Sequence, residues 1–436
     1  MSEYVNRRAT LMEHMGEGSI AVIASAKEII RNRDTEYPFR QNSDFYYLTG
    51  FVEANALLVL IPGREMGESI LFCEERQVDL EQWTGERMGP ERAAQVLGVD
   101  DAFPFGDLAD ILPGLLEGQA RIHTTLGEQP EFDKELLSWV KGLQTYSARG
   151  VVAPGEIVAL SHLLHDLRLY KSSTELQVMR KAATITCAAH TRAMQACQPG
   201  LIEGALEAEL IYAFMKNGAR HPAYPCIVGG GANACVMHYT RNSDILNSGD
   251  LVLIDAGCEF EHYASDVTRT FPVNGRFTAP QKRLYNIVLK AQLCAIDAVQ
   301  PGNAFDQPHI VAIRIMVEGL VELELLKGDI DKLIEAEAYK IFCVHKTSHW
   351  MGLDVHDVGD YRVGEVWREL EPGMVLTVEP GLYIPDNDAF DLPWRGMGIR
   401  IEDDVLVTRD GHEVLTQNTV KSVDDIELLM KNGQIR

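Results

Sequence analysis

The 436-residue sequence has no apolar run approaching the ~18 residues that cross a bilayer. Its opening, MSEYVNRRATLMEHM, lacks the apolar stretch of an export signal. Clusters of Lys and Arg are also missing. With 40 basic against 64 acidic side chains the formal net charge is −24, which argues against nucleic acid as a partner, because phosphate backbones are gripped by basic clusters. There is no CxxC. The eight cysteines lie far apart, mostly in apolar segments, and read as reduced core residues. No G-K-[ST] follows the GGG at 229–231, so that segment is expected to be a strand-end turn and not a phosphate loop. These absences lead to an expectation of a cytoplasmic protein with no membrane or nucleic-acid partner. Its acidity would favour solubility and attract a ligand carrying a free, positive amino terminus.

What the chain does contain is a near-repeat. GDLVLIDAG at 249–257 and GMVLTVEPG at 373–381 each place a glycine, a short apolar run, one carboxylate (Asp255, Glu379) and a glycine two residues later. Each copy is followed by a second strand-like segment with an acid, Asp266 in ASDVTRTFPV and Glu402 in GIRIEDDVLV. Period-2 alternation predicts that Asp266, Thr268 and Thr270 share one face, and that Arg400, Glu402 and Asp404 share another. A carboxylate at the end of an apolar run leaves water at a cost of roughly several kcal/mol unless a cation receives it. Neither run contains Lys or Arg. A salt-bridge network centred on Arg400 is one answer; a pair of divalent metals shared by two related halves is the other.

Histidine clustering favours the metals. His345, His349 and His356 fall within twelve residues, VHKTSHWMGLDVHDVG, in a chain with 13 histidines. His345 and His349 have the spacing of a zinc-protease helix, but Lys346 stands where the glutamate of H-E-x-x-H belongs, which removes that reading. One imidazole with four carboxylates is an oxygen-rich set suited to Mn²⁺, Mg²⁺ or Co²⁺ more than to thiolate-bound zinc.

Length and composition, 46% hydrophobic and 24% charged, allow two or three domains at about 100–200 residues each. Residues 1 to about 165 alternate short apolar runs (SIAVIAS, ALLVLIP, SILFCEE) with helical stretches such as PERAAQVLG, the pattern of an α/β domain. A long helix is predicted to open at Ser172, with Glu175 completing a capping box, and a second to cover about Leu206–Met215. Helices from Pro280 and over about Phe305–Leu325 repeat the plan before the second pair of acid-bearing strands.

In this order and context Asp255, Asp266, His349, Glu379 and Glu402 resemble the dinuclear site of the pita-bread metallopeptidases. SHWMGLDVHDVG, LTVEPGLYI, GIRIEDD and the upstream YPFRQNSDFYYLTGF are similar to blocks of that family's aminopeptidase P branch. The likeness spans nearly the whole chain. It implies an α/β (α+β) protein, with an N-terminal α/β domain over 1–168, serving oligomerisation and active-site access, and a duplicated pita-bread domain over 169–436. It implies two Mn²⁺ ions, with Co²⁺, Mg²⁺ or Zn²⁺ as substitutes in vitro: Asp255 on one, His349 and Glu379 on the other, Asp266 and Glu402 bridging. A bridging hydroxide would attack, Glu379 would carry the proton, and His238 and His356 would hold the substrate carbonyl or oxyanion.

The activity implied is release of an N-terminal residue that precedes proline. An Xaa-Pro bond has no N–H to grip, so a shaped pocket must replace that hydrogen bond. The family likeness lines it with His238, His345, Val355, His356, Tyr383 and Arg400, with Tyr224 a weaker candidate. A prolidase acting on Xaa-Pro dipeptides and a non-catalytic peptide-binding module are the alternatives. The likeness further implies a homo-oligomer, dimer or tetramer, with Trp83 of EQWTGERMG at an interface. Asp34, Arg40 and Asn42 would border the entrance. Lys346, where the family commonly has a small residue, is a departure at the rim.

Overall fold

The computed structural model describes residues 3–390 and 392–433, so the extreme ends of the two expected domains lie outside the described residues. The chain forms two compact units, Met1–Leu167 and Arg168–Arg436. In the first, six strands make one mixed sheet: β1 (Ser19–Ala24), β2 (Leu57–Leu60), β3 (Ser69–Cys73), β4 (Asp101–Pro104), β5 (Arg121–Thr124) and β6 (Glu156–Ala159), in the order β4-β3-β2-β1-β5-β6. The apolar runs read from the sequence are β1, β2 and β3. Ile20, Val22, Val59 and Phe72 of this sheet pack against Leu112 of helix α1 (Leu108–Leu116) and Leu136 of α2 (Pro130–Gln144). This is the N-terminal α/β body expected from the alternating pattern.

The second unit has the pita-bread plan, two related halves that each set helices beside an antiparallel sheet. Helix α3 (Ser173–Ala196) begins with the expected capping box of Ser172 and Glu175, and α4 (Glu203–Lys216) follows. Sheet β7-β8-β9 then forms from Ile227–Gly230, Leu251–Asp255 and Thr268–Pro272. The second half opens on its own capping box, Thr278 with Gln281, at the start of α5 (Ala279–Asp297), followed by α6 (Gln307–Glu322). Its strands are β10 (Val375–Val378), β11 (Gly381–Tyr383), β12 (Gly398–Arg400), β13 (Asp403–Thr408) and β14 (Gly411–Val414). They form one sheet ordered β10-β13-β14 and the pair β11-β12. One apolar core joins Ala189 and Leu210 of the first half to Val288, Met316, Leu376 and Val405 of the second.

The opening glycines of the repeat have a shared physical cause. Gly249 and Gly373 open β8 and β10 from the left-handed region, at φ 97° and 99°, where a side chain would be strained. Gly257 and Gly381 close the motifs at points of close approach: a Cβ on Gly257 would lie 1.6 Å from the Ser265 carbonyl oxygen, and one on Gly381 2.4 Å from the Tyr383 hydroxyl. The left-handed turn into the strand recurs in both copies, while the second glycine makes room for backbone in the first and for the Tyr383 side chain in the second. His190, on the buried stripe of α3, is a core histidine; it bonds the Ala256 carbonyl at 2.9 Å, and burial pushes its imidazole down to about 4.

Candidate active site

Each of the four acids leaves the backbone where a strand ladder ends. Asp255 is the last residue of β8 and pairs with Thr268, the first residue of β9; Asp266 lies two residues before it. Val378 and Asp403 make the corresponding last rung of β10 and β13, and Glu379 and Glu402 lie one residue outside it. This corrects the expectation that the acids sit within continuous strands. Arg400 belongs to β12, Asp404 to β13, and Glu402 is in the break between them. A residue inside a ladder has its side chain fixed perpendicular to the sheet, whereas one at the ladder's end can turn toward a common point. Asp404 does not join the others: its carboxylate accepts from the Ser265 hydroxyl at 2.9 Å and from the Asp266 amide at 3.2 Å.

Twelve residues were expected at the site, Tyr224 the weakest candidate, and eleven of them line one cavity of about 460 Å³: Asp255, Asp266, His349, Glu379, Glu402, His238, His345, Val355, His356, Arg400 and Tyr224. The twelfth, Tyr383, is buried behind the wall, its hydroxyl 2.8 Å from His345 Nε2 and 2.8 Å from Arg400 Nη1. Asp266, His349 and Glu402 each bring a donor atom to within 4.8 Å of the others, and no other such trio occurs among the described residues. Glu379 Oε1 is 3.6 Å from His349 Nε2, and Asp266 Oδ2 is 3.5 Å from the same nitrogen. His349 is aimed by its neighbours. Its Nδ1 lies 3.0 Å from the Trp350 carbonyl, which leaves Nε2 toward the acids. Its amide donates to the Thr377 hydroxyl and its carbonyl accepts from the Thr377 amide of β10, and the Glu379 amide donates to the Thr347 carbonyl.

Arg400 pairs with one of the acids, Asp255. Its Nη2 donates to Asp255 Oδ2 at 2.6 Å, while Glu402 accepts from the Thr268 hydroxyl at 2.6 Å. Tyr224, ranked below the others from sequence, proves central: its hydroxyl lies 2.6 Å from Asp255 Oδ1 and also bonds Asp266 Oδ1. His356 stacks edge-on against His349 with ring centroids 4.4 Å apart, and His238 is exposed at the cavity wall. The loop carrying Val355 and His356 is pinned through Asp357, which accepts from Arg168 at 2.6 Å and Lys171 at 2.9 Å, both buried. Lys346 is exposed on the cavity lining. Asn42 uses its side chain to cap the helix Ser43–Thr49, and Arg40 bonds the Gln41 carbonyl and the Ser43 hydroxyl.

The charges do not balance. Three buried carboxylates and the half-buried Glu379 meet the Arg400 guanidinium and the His349 imidazole, on a lining that also carries His238, His345, His356 and Lys346. Burial, reinforced by Asp266, Glu379 and Asp255, pushes the Glu402 carboxyl well above its ordinary range. Burial also raises Asp255 against the pull of Arg400, and lifts Glu379 to about 7 despite His349 and Arg400. Burial alone would lower His349, but the Asp266 hydrogen bond and the charges of Glu379 and Asp266 raise it to about 9. Asp266, beside His349, is the one acid of the four held below its usual value, against its burial. His345 is driven down to about 4 by burial and by Arg400. The excess negative charge, a hard oxygen-rich donor set and the absence of any cysteine from the described lining fit divalent cations of the Mn²⁺ class.

Residues 177–409 match the model of metallopeptidase family M24, and residues 4–123 match the aminopeptidase P N-terminal domain. The Xaa-Pro aminopeptidase of Escherichia coli (strain K12) is 46% identical over 429 residues, 98% of this chain and 97% of that protein. The structure of Pseudomonas aeruginosa aminopeptidase PepP superposes with a TM-score of 0.98 at 52% identity, covering 100% of this chain and 98% of that one. Aminopeptidase P from E. coli with the inhibitor Pro-Leu gives 0.97 at 45% identity, covering 100% of both chains. In this chain no helix among the described residues is long and apolar enough to cross a membrane.

Proposed function

The chain belongs to metallopeptidase family M24 and is a hydrolase of the aminopeptidase type; from that premise we propose that it releases the N-terminal residue from peptides with proline second. The carrying observation is the convergence of four carboxylates and His349 on one cavity. Asp255, Asp266, His349, Glu379 and Glu402 would hold two divalent ions, Mn²⁺ by preference, with Co²⁺, Mg²⁺ or Zn²⁺ as substitutes in vitro. Such a pair supplies an activated water near neutral pH and polarises the scissile carbonyl.

The chain's own residues do the rest. Glu379 takes the proton that the attacking water gives up and delivers it to the proline nitrogen, which leaves as a secondary amine. His238 and His356, at the wall beside His349, donate hydrogen bonds to the carbonyl oxygen as it gains charge. His345, Val355 and Arg400 bound the space for the proline ring, and Tyr383 fixes His345 and Arg400 from behind. Proline is read by shape because its nitrogen offers no donor. Relatives named for Xaa-Pro cleavage, one of them holding Pro-Leu, support the same substrate class.

Residues 169–436 are the catalytic domain in this reading. Residues 1–168 serve assembly of a cytoplasmic homo-oligomer and access to the site. Trp83, 80% exposed, is an apolar side chain that a neighbouring subunit would cover. The test is hydrolysis of tripeptides Arg-Xaa-Pro differing at the second residue, with Mn²⁺ and after chelation. Cleavage of Arg-Pro-Pro at least ~10² faster than of Arg-Ala-Pro, abolished by chelation, is expected, since a site shaped for one ring discriminates by a few kcal/mol. Equal rates would remove the proline claim, and cleavage confined to Xaa-Pro dipeptides would make the protein a prolidase.

A further inference from the structure

Glu203, the first residue of α4, is fully buried, and the described ion pairs give it no Lys, Arg or His partner. A charge so placed costs several kcal/mol, roughly, unless hydrogen bonds replace its water. Four donors do so, all from one stretch of chain. Oε1 accepts from the Gly230 amide at 2.8 Å and Asn233 Nδ2 at 2.9 Å; Oε2 accepts from the Tyr239 hydroxyl at 2.8 Å and the Asp244 amide at 2.9 Å. The Glu203 amide completes the ring by donating to the Asp244 carbonyl at 3.0 Å. Both ends and the middle of the segment 230–244 are thus tied to a single carboxylate.

That segment carries His238. Tyr239, its neighbour, turns inward: its ring packs with Ile227, Leu253 and Tyr383, with Met237 and Cys235 against the same cluster, and its hydroxyl reaches Glu203. Met237 and Tyr239, on either side of His238, both pack into this cluster, while His238, in the turn, is exposed and lines the cavity. The packing leaves no room for drift, since a Cβ on Gly230 would lie 2.6 Å from Leu246 Cδ2 and one on Gly204 3.0 Å from the Asn242 carbonyl oxygen.

We propose that Glu203 is a positioning residue for His238: its buried carboxylate, through Tyr239 and the 230–244 segment, sets where that imidazole meets the substrate. The inference rests on the aminopeptidase reading. Glutamine at 203 offers one oxygen and one amide nitrogen to four donors, so two of them face a donor and the clamp opens on one side. In Glu203→Gln, kcat falls roughly tenfold while KM moves less than about twofold, as expected for a misplaced group that acts in the transition state.

The decisive experiment is a double-mutant cycle with His238→Ala in the full-length Mn²⁺-loaded protein, paired with NMR of the histidine ring signals in the same protein loaded with diamagnetic Zn²⁺. Glu203→Gln should cost nothing further in the His238→Ala background, and the His238 ring signal, assigned by its loss in that variant, should shift or broaden. Losses that multiply, or an unmoved ring signal, overturn the proposal. Tyr239→Phe, which removes one donor and keeps the charge, should give a smaller loss in the same direction and serves if Glu203→Gln does not fold. A wild-type protein that cleaves no Xaa-Pro peptide would sink the aminopeptidase reading, while the ring signals would still decide the positioning.

Discussion

Glu379→Gln is expected to lower kcat on Xaa-Pro peptides by a factor on the order of 10³ or more while leaving the fold intact, since it removes both a metal donor and the proton carrier. The backbone at this position is held independently of the side chain, by its amide bond to the Thr347 carbonyl at 2.8 Å. The same variant should melt higher than the wild type when both are metal-free. The four carboxylates share a cavity with Arg400, Lys346 and four histidines, of which His345 and His356 are pushed by burial toward the neutral form, and an amide of the same shape relieves the acids' mutual repulsion. Steady-state kinetics with Mn²⁺ and calorimetric melting after chelation check the two halves of this expectation. A variant with more than about a tenth of wild-type kcat would move the proton transfer to another group, because general acid–base catalysis contributes about 10² or more.

Arg269→Met is expected to destabilise the protein by about 3–5 kcal/mol, the usual cost of removing one member of a buried ion pair. Arg269 and Asp403 are both completely buried, 2.7 Å apart. The guanidinium also donates to the carbonyls of Val420 at 3.1 Å, Thr268 at 2.9 Å and Thr419 at 2.9 Å, and to that of Glu402. Two of those carbonyls belong to the chain beside the acids, so the substitution should also weaken metal binding.

Acid should reveal the sign of the charge effect. Burial alone would raise the Asp403 carboxyl, but Arg269 and Lys421 outweigh it and hold it below its ordinary 3.8. A depressed carboxylate stabilises above its unfolded value and ceases to do so as pH falls through its folded one. The gap between wild type and Arg269→Met should therefore be full at neutral pH and shrink below about pH 4. Thermal or urea unfolding across pH 3–8 measures it; a gap that widens on acidification would reverse the assignment.

The sequence carried the metal site further than it carried the scaffold around it. The acids were visible because GDLVLIDAG and GMVLTVEPG repeat a pattern in which a carboxylate ends an apolar strand, and the glycine that opens it takes the same left-handed turn in each copy. His349 was visible through clustering. Strand alternation failed at Asp266 and Glu402, since it presumes an unbroken ladder and these acids lie where ladders end. Arg269 follows Thr268 on the face of Val267 and Phe271, and an arginine on an apolar face is a signal of a buried pair; its partner Asp403, 134 residues away, depends on tertiary structure alone. Glu203 gave no signal. A glutamate opening an amphipathic helix is ordinary, and only the returning segment 230–244 makes it a clamp. Tyr224 was underrated because a tyrosine before proline in a loop has no periodicity to read.

Calorimetric titration of the metal-free protein with Mn²⁺ bears most directly on the site itself. Two equivalents per chain should bind, with Asp266→Asn and Glu402→Gln each losing at least one of them. No uptake by the wild type, or uptake unchanged in both variants, would contradict the assignment of these five side chains.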